Sequence, residues 1–463
     1  MEKKSGNFSG SLGFILAAAG SAVGLGNIWR FPYLAAKDGG GLFLLVYIIL
    51  AITFGFALLT TEIAIGRKTG KSPLTAYGEL NKKWKWIGPL ACIVPIIILP
   101  YYSVIGGWIL KYLTAYLTGN GAATVADGYF TGFITSQVSP IIWFVIFLAA
   151  TAVVVYMGVD KGIERLSKVL MPILLVMILG IGIFSLTLRH TDAAGVTRTG
   201  LQGLGVYLIP NFEEFTFGKL CNTLMDAMGQ MFYSVSVAMG IMITYGSYVK
   251  KDTHIVHSVN YIEIFDTIVA FLAGMMVIPA VYTFMGAEGM TTGPSLMFVS
   301  LPKVFDAMGS VGVVVAIVFF IMVVFAALTS SVSIMEAIVS CFMDRFKIKR
   351  QGAVVLSFVL ALVLGLVVCL GYNVFYFELT LPNGSVAQVL DVMDYLSNYI
   401  LMPVVAIATC VLVGWVVKPQ TVIDEVTLGG MTFNRKKLYV VMVKYITPIM
   451  LLFLLLRSLG LLG

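Results

Sequence analysis

The sequence predicts an all-α membrane protein, and three observations carry that reading. The 463 residues are 59% hydrophobic and 11% charged, with mean hydropathy +0.96. A soluble domain carries about 25% charged residues. The apolar residues fall into eleven long runs separated by polar connectors. The first and sixth runs are interrupted at their centres by residues that loosen a helix. No linker divides the chain, so 1–463 reads as one transmembrane domain.

In order, the runs predict spans at 11–37, 41–66, 88–117, 140–158, 163–187, 219–248, 257–285, 311–344, 352–371, 386–417 and 438–461. The first apolar stretch, as helix, is roughly 37 Å long, enough to cross a bilayer with some tilt. Lys and Arg set the topology. With the N-terminus in the cytoplasm, the inside segments carry 21 of the 30 basic residues, among them Arg67, Lys68, Lys82, Lys83, Arg345 and Arg350. The positive-inside rule therefore predicts a multi-pass protein of the cell inner (plasma) membrane, N-terminus in and C-terminus out. The net charge of +7 is thus a topological signal facing anionic headgroups, and nucleic acid is not an expected partner. The outer segment 286–310, with Pro294 and Pro302, reads either as a segment folded back over the outer mouth or as an ordinary surface loop.

Span one reads Gly20-Ser21-Ala22-Val23-Gly24-Leu25-Gly26-Asn27 at its centre, with Arg30 one turn further on. Backbone groups freed there would cost several kcal/mol each unless something binds them. Glycines alone also serve close helix packing. Ser21, Asn27 and Arg30 beside them favour a broken helix whose freed carbonyls and amides hold an ion and a solute. Span six repeats the pattern around Tyr233-Ser234-Val235-Ser236, where serines among β-branched valines weaken a helix. Broken segments in corresponding positions of two halves mark a transporter site. The offset of five spans predicts inverted repeats, 11–187 (helices 1–5) and 219–417 (helices 6–10), followed by helix 11 at 438–461.

Enzyme chemistry has little to stand on. His254 and His257 lie three apart in a basic connector and read as a solvated turn. No phosphate-binding Gly-Lys loop or metalloprotease helix motif occurs. The five cysteines, Cys92, Cys221, Cys341, Cys369 and Cys410, have no metal-like spacing and read as packing residues.

Five segments carry a family resemblance: AAAGSAVGLGNIWRFPYLAAKDGGG (17–41), TEIAIGR (61–67), Tyr101-Tyr102, FYSVS (232–236) and AALTSS (326–331). The chain resembles a bacterial neurotransmitter:sodium symporter, a relative of the leucine transporter and of bacterial hydrophobic and aromatic amino-acid transporters. The resemblance covers essentially the whole chain to span eleven, without the family's twelfth span. It implies sodium-coupled symport of an amino acid by alternating access, with two sodium ions and no organic cofactor. One sodium site falls on the carbonyls of Gly20, Val23 and Ala326 and the hydroxyls of Thr329 and Ser330. The other falls on the Ala22 carbonyl, Asn27, Ser234 and Asp266, and the substrate carboxylate completes it. Sodium prefers hard oxygens, which these groups supply.

The same resemblance implies the substrate site. Freed amides around Ala22, Gly24, Leu25 and Gly26 face the carboxylate, with the Tyr102 hydroxyl. Carbonyls near Ala22, Tyr233 and Ser236 take the ammonium group. Ile98, Tyr102, Tyr233, Ser236, Met239, Ser330 and Ile334 surround the side chain, and Ser234 adjoins it. This pocket has no charge, so charged side chains are disfavoured. Met239 stands where the leucine transporter has Phe. Met adapts to irregular shapes, so a large aliphatic or aromatic substrate is expected.

Asp266 departs from the leucine transporter, which has an amide there. An acid inside the membrane is a functional candidate by default. Chloride-requiring relatives use a Tyr, a Gln and two hydroxyls; this chain has Tyr47, Gln230 and Ser234, but Ala270 in the last place. Asp266 is therefore expected to replace chloride. Arg30 and Asp394 match the outer gate pair, with Tyr233 as lid, which argues against a channel. Asp344 matches an inner gate acid, but Ser5 and Phe8 replace its usual Arg-x-x-Trp partner, leaving Lys3 and Lys4 as the nearby cations. In span five Gly162 and Pro172 match a spacing that lets the inner half unwind in relatives. The expected partners are a small amino acid and the lipid bilayer, in a monomer or homodimer. The alternative reading is a non-transporting, sodium-dependent amino-acid sensor.

Overall fold

A computed structural model describes residues 7–192, 195–210, 216–289 and 296–462. Lys3, Lys4, Ser5 and Pro294, considered above, lie outside the described residues. Nine helices among these are long and apolar enough to cross a membrane: Gly41–Thr69, Lys82–Leu117, Ser139–Tyr156, Val159–Leu186, Ile255–Gly286, Ser310–Phe346, Arg350–Leu370, Val389–Val416 and Lys436–Ser458. They occupy the positions of spans two to five and seven to eleven, within a few residues of the ranges expected from hydropathy. Span one is a bent pair, Ser11–Ala22 and Gly26–Lys37, angled by 55°. Span six is also two helices, Phe217–Ser234 and Ile241–Ser247, with non-helical backbone at 235–240.

Burial separates centre from rim. The apolar windows of spans two and three are 72% and 78% buried, whereas those of spans four and eleven are 33% buried. The exposed residues of the rim are large and apolar, such as Leu45, Ile49, Val176 and Val363. A helix satisfies its own backbone, so such a face can meet lipid without further partners. At the centre, span eight packs along span three, and the first half of span one nests between spans seven and eight.

The connectors add short elements. Helix Pro73–Leu80 follows span two on the N-terminal face, and helix Gln420–Val426 follows span ten on the same face. The second is clasped to the end of span two, where Arg67 Nε donates to Glu425 Oε1 at 2.8 Å. Lys251 adds a second cation to Glu425 at 2.9 Å. On the far face, antiparallel pairs Arg189–Thr191/Thr197–Thr199 and Leu379–Thr380/Val386–Ala387 close two loops. Of the two readings of the outer segment, residues 296–310 follow the one that reaches the far mouth. Phe298 stacks on Phe130 with centroids 4.9 Å apart and lines the cavity there, while helix Ser300–Ala307 packs against span eight.

Candidate functional site

The site begins with two backbone breaks. In span one, Val23 adopts extended angles (φ −74°, ψ 98°), ending the first helix. The side chain of Asn27 reaches back, its Oδ1 accepting from the Gly24 N–H at 3.1 Å. In span six, Ser236 and Ala238 take positive φ values of 54° and 62°. Each left-handed L-residue costs about 1–2 kcal/mol, so the surroundings must hold it. Glu62 of span two does so, its Oε1 accepting from the Ala238 N–H at 2.6 Å. Gly240 ends the break at φ 74°, and a Cβ there would lie 2.7 Å from Pro73 Cγ. The two breaks are tied together: Ser236 Oγ donates to the Ser21 carbonyl at 2.9 Å.

Between the breaks lies one cavity, and all twelve residues assigned to substrate line it. Span one supplies Ala22, Gly24, Leu25 and Gly26; span three supplies Ile98 and Tyr102. Span six supplies Tyr233, Ser234, Ser236 and Met239; span eight supplies Ser330 and Ile334. Ser21 and Asn27 complete the lining, and none of the fourteen bears a formal charge. The glycines make the room: a Cβ on Gly24 would sit 2.9 Å from Ser330 Oγ and 3.1 Å from the Tyr102 hydroxyl. The Tyr102 hydroxyl is buried without a hydrogen bond of normal geometry. A buried donor in that state calls for an acceptor from a ligand.

Two oxygen clusters flank this cavity. Ser330 Oγ lies 3.4 Å from the Gly20 carbonyl and 3.3 Å from the Val23 carbonyl. On the preceding residue, Thr329 Oγ1 donates to the Ala326 carbonyl one turn earlier at 3.1 Å. The chain passes closely there, since a Cβ on Gly20 would lie 3.3 Å from Thr329 Cβ. These five residues bring two hydroxyls and three carbonyls together, a set of hard oxygens suited to a small monovalent cation. In the second cluster Asp266 Oδ1 accepts from Asn27 Nδ2 and from Ser234 Oγ, both at 2.8 Å. Asp266 Oδ2 lies 3.4 Å from the Tyr47 hydroxyl. Gln230 Nε2 donates to the Gly26 carbonyl at 3.1 Å, and Ala270 is fully buried one turn beyond Asp266.

Above the cavity on the far face is a vestibule of about 560 Å³. Tyr233 lines both spaces, together with Leu25, Gly26 and Tyr102. Arg30 and Asp394 both border the vestibule, but they are not in ion-pair contact. Arg30 Nη2 instead donates to the Tyr399 hydroxyl at 3.3 Å, and Asp394 Oδ1 accepts from Asn398 at 2.6 Å. The expected gate pair is thus assembled but parted, because each partner is held by a neighbour on span ten.

On the opposite face the cations expected near Asp344, Lys3 and Lys4, lie outside the described residues. Asp344 has no cation partner among the described residues; its Oδ2 accepts from the Ser72 N–H at 2.9 Å and the Thr75 hydroxyl at 3.0 Å, capping the helix after span two. Other contacts tie this face together. Phe8 is buried against the rings of Phe14, Tyr245 and Tyr248. Ser9 donates its N–H to Glu164 at 2.8 Å, and Lys168 pairs with the same carboxylate at 2.6 Å. The fully buried Glu336 accepts from Tyr248 at 2.7 Å and pairs with Arg350. Nor are all the cysteines packing residues: Cys92 and Cys341 form a disulfide where spans three and eight run side by side. Glu62 and Glu336 escaped the reading of the sequence, although each is an acid within an apolar run, a signal that alone marks a candidate.

Two broken helices crossing at mid-span, with oxygen clusters beside an enclosed cavity, define a membrane transporter of the secondary type. Comparison with known proteins gives the family. The model of the "Sodium:neurotransmitter symporter family" matches residues 5–131 and 133–461. The chain belongs to that family, and it is a multi-pass sodium-dependent transport protein. It is 32% identical over 473 residues to an uncharacterized sodium-dependent transporter, YhdH, of Bacillus subtilis (strain 168), covering 100% of this chain and 99% of that one. It is 25% identical over 445 residues to human sodium- and chloride-dependent GABA transporter 2, covering 82% and 71%. The crystal structure of MhsT in complex with L-phenylalanine superposes with TM-score 0.85 at 34% identity, covering 98% and 99% of the two chains.

Proposed function

We propose that this protein is a sodium-coupled symporter that imports neutral, hydrophobic L-amino acids, large aliphatic or aromatic, by alternating access. The observation that carries the reading is the uncharged cavity between the two breaks, with the unpaired Tyr102 hydroxyl turned into it. An amino acid brings the acceptor that the Tyr102 hydroxyl lacks. Its ammonium group finds carbonyls at the breaks, and its side chain meets Ile98, Met239 and Ile334. The relative crystallised with L-phenylalanine supports this substrate class.

Sodium takes two positions in this reading: Gly20, Val23, Ala326, Thr329 and Ser330 at one, and Ala22, Asn27, Ser234 and Asp266 at the other. The substrate carboxylate completes the second, so solute and ion bind together. Chloride is not required, because Asp266 places a fixed negative charge among Asn27, Ser234 and Tyr47. The N-terminus is cytoplasmic, so the vestibule is extracellular and Arg30, Asp394 and Tyr233 form the outer gate. The repeats 11–187 and 219–417 supply the halves that rock against each other.

The test is uptake of labelled tryptophan and leucine into proteoliposomes. An inward sodium gradient is imposed, with potassium as control and gluconate replacing chloride. Sodium-driven accumulation that survives chloride removal is the expected result. Accumulation that collapses without chloride keeps the symporter and removes the role of Asp266. Sodium-dependent binding without flux would favour a sensor.

A further inference from the structure

Toward the N-terminal face, spans ten and eleven meet at a seam that carries a cation the transport reading leaves unused. From 402 to 463 the chain has six cations and two acids, Asp424 and Glu425. Glu425 is held by Arg67 and Lys251, and Asp424 accepts from Gln420. Lys444 reaches neither, and its ammonium gives no ion pair or hydrogen bond among the described residues. It lies instead 4.8 Å from the ring centroid of Trp415 and 5.5 Å from that of Tyr445. Ring faces attract an ammonium, but its three N–H donors still lack an oxygen.

Both helices build the place. Each takes a π-helical turn at this level, Leu412–Val416 and Met442–Ile446, and such turns often sit at functional sites. Trp415 Nε1 donates to the Lys444 carbonyl at 3.1 Å, and the rings of Trp415 and Tyr445 meet edge-on with centroids 5.5 Å apart. Gly414 lets the backbones close, since a Cβ there would lie 3.2 Å from Lys444 Cα. Trp415 and Tyr445 are 54% and 47% exposed. Span ten ends at Val416, and Lys418 beyond it is exposed, as are Lys436 and Lys437 where span eleven begins. This is headgroup depth, where Trp and Tyr collect. Toward the membrane centre Ile446, Ile449 and Phe453 continue as an exposed apolar stripe at helical spacing.

We propose that this seam binds a phospholipid of net negative charge, its phosphodiester on the Lys444 ammonium and its acyl chains along Ile446, Ile449 and Phe453. A cation without an acid partner at headgroup depth takes its counter-ion from anionic lipid. A choline headgroup fits poorly, because its own ammonium needs the aromatic faces that Lys444 already holds. Free phosphate would leave the apolar stripe uncovered. A second copy of the chain packed here symmetrically would bring a like charge to Lys444. In the orientation proposed above the lipid belongs to the cytoplasmic leaflet; the binding does not rest on that orientation.

The probe is phosphatidylglycerol, added to the purified full-length protein in detergent, with phosphatidylcholine and inorganic phosphate as comparators. Melting temperature and the number of lipids retained in native mass spectrometry are the readouts. Lys444→Gln removes the cation and Lys444→Arg keeps it. Should Lys444→Gln fail to fold, Trp415→Leu removes the ring and the N–H that position Lys444. Phosphatidylglycerol is expected to raise the melting temperature of the unmodified protein above that in phosphatidylcholine. Lys444→Gln should lose most of that increment and one tightly retained lipid, Lys444→Arg should keep both, and Trp415→Leu should lower the increment. An undiminished increment in Lys444→Gln and Trp415→Leu overturns the site, as does equal stabilisation by phosphatidylcholine. Stabilisation by inorganic phosphate alone that Lys444→Gln abolishes assigns the cation to a free anion and overturns the lipid. A change of oligomeric state in Lys444→Gln at fixed lipid gives the seam to a second copy and overturns it too.

Discussion

The proposed ion and solute sites can be tested residue by residue. Thr329 contributes a hydroxyl to the first oxygen cluster and none to the substrate cavity. Thr329→Ala is expected to weaken sodium by roughly 1–3 kcal/mol, about 5- to 150-fold in half-saturating sodium, with substrate affinity restored at saturating sodium. Sodium titrations of uptake check this. Asp266→Asn removes the fixed charge, and uptake in gluconate should fall about tenfold or more, a barrier of ~1.4 kcal/mol, with partial rescue by chloride. Unchanged chloride-free uptake would exclude Asp266 as the anion. Asp38, past the far end of span one, is pushed up to about 7 by burial and by the neighbouring Asp226 carboxylate, against the pull of Lys37. A raised carboxyl pKa means the folded state holds the proton more tightly than the unfolded chain. Its contribution to stability is complete below the ordinary range near 4 and is lost as pH rises through about 7. Melting temperature should decline across that window, and Asp38→Asn should flatten the decline. The motif residues Gly24, Asn27 and Ser330 were legible because their types are unusual at mid-membrane. Asp38 was not, because its environment is made by Asp226 and Arg457, far away in sequence.

At the scale of elements, the break in span six depends on a partner from span two. Ala238 sits at φ 62° with its N–H on Glu62. Ala238→Gly relieves the left-handed conformation, so uptake and thermal stability should stay near those of the unmodified protein. Ala238→Val adds a β-branch that region does not accommodate, and both properties should fall. Retained uptake in the valine variant would show that 235–240 need not hold this backbone. The serines and valines announced the weak point from sequence alone. They did not announce where the freed amide goes, because Glu62 reaches it only once spans two and six are packed. The opposite face shows the same limit. Asp344 accepts from Ser72 and Thr75 at the start of the helix that begins at Pro73, and Glu336 pairs with Arg350, contacts that no local pattern announces.

For the whole molecule, the number of coupled ions sets the work it can do. One charge crossing 100 mV releases ~2.3 kcal/mol, and a tenfold gradient adds ~1.4 kcal/mol. Two sodium ions thus supply roughly 7 kcal/mol, about 10⁵-fold accumulation of a zwitterion under tight coupling, against a few hundredfold for one ion. The steady-state ratio of labelled substrate across proteoliposomes under these gradients separates the two, and a ratio near the lower figure removes one of the proposed sites.

Sequence by itself determined the bundle: eleven apolar runs long enough to cross a bilayer, and two interrupted where interruption is costly. That much is local, since each helix satisfies its own backbone hydrogen bonds and needs only length and hydropathy to be read. The tertiary structure decided what depends on distance between helices. It parted Arg30 from Asp394, joined Cys92 to Cys341, gave Asp344 a helix to cap and laid Lys444 against the ring of Trp415. A carboxylate's partner is whichever donor the packing of remote spans brings within about 3 Å, and no spacing along one helix encodes that.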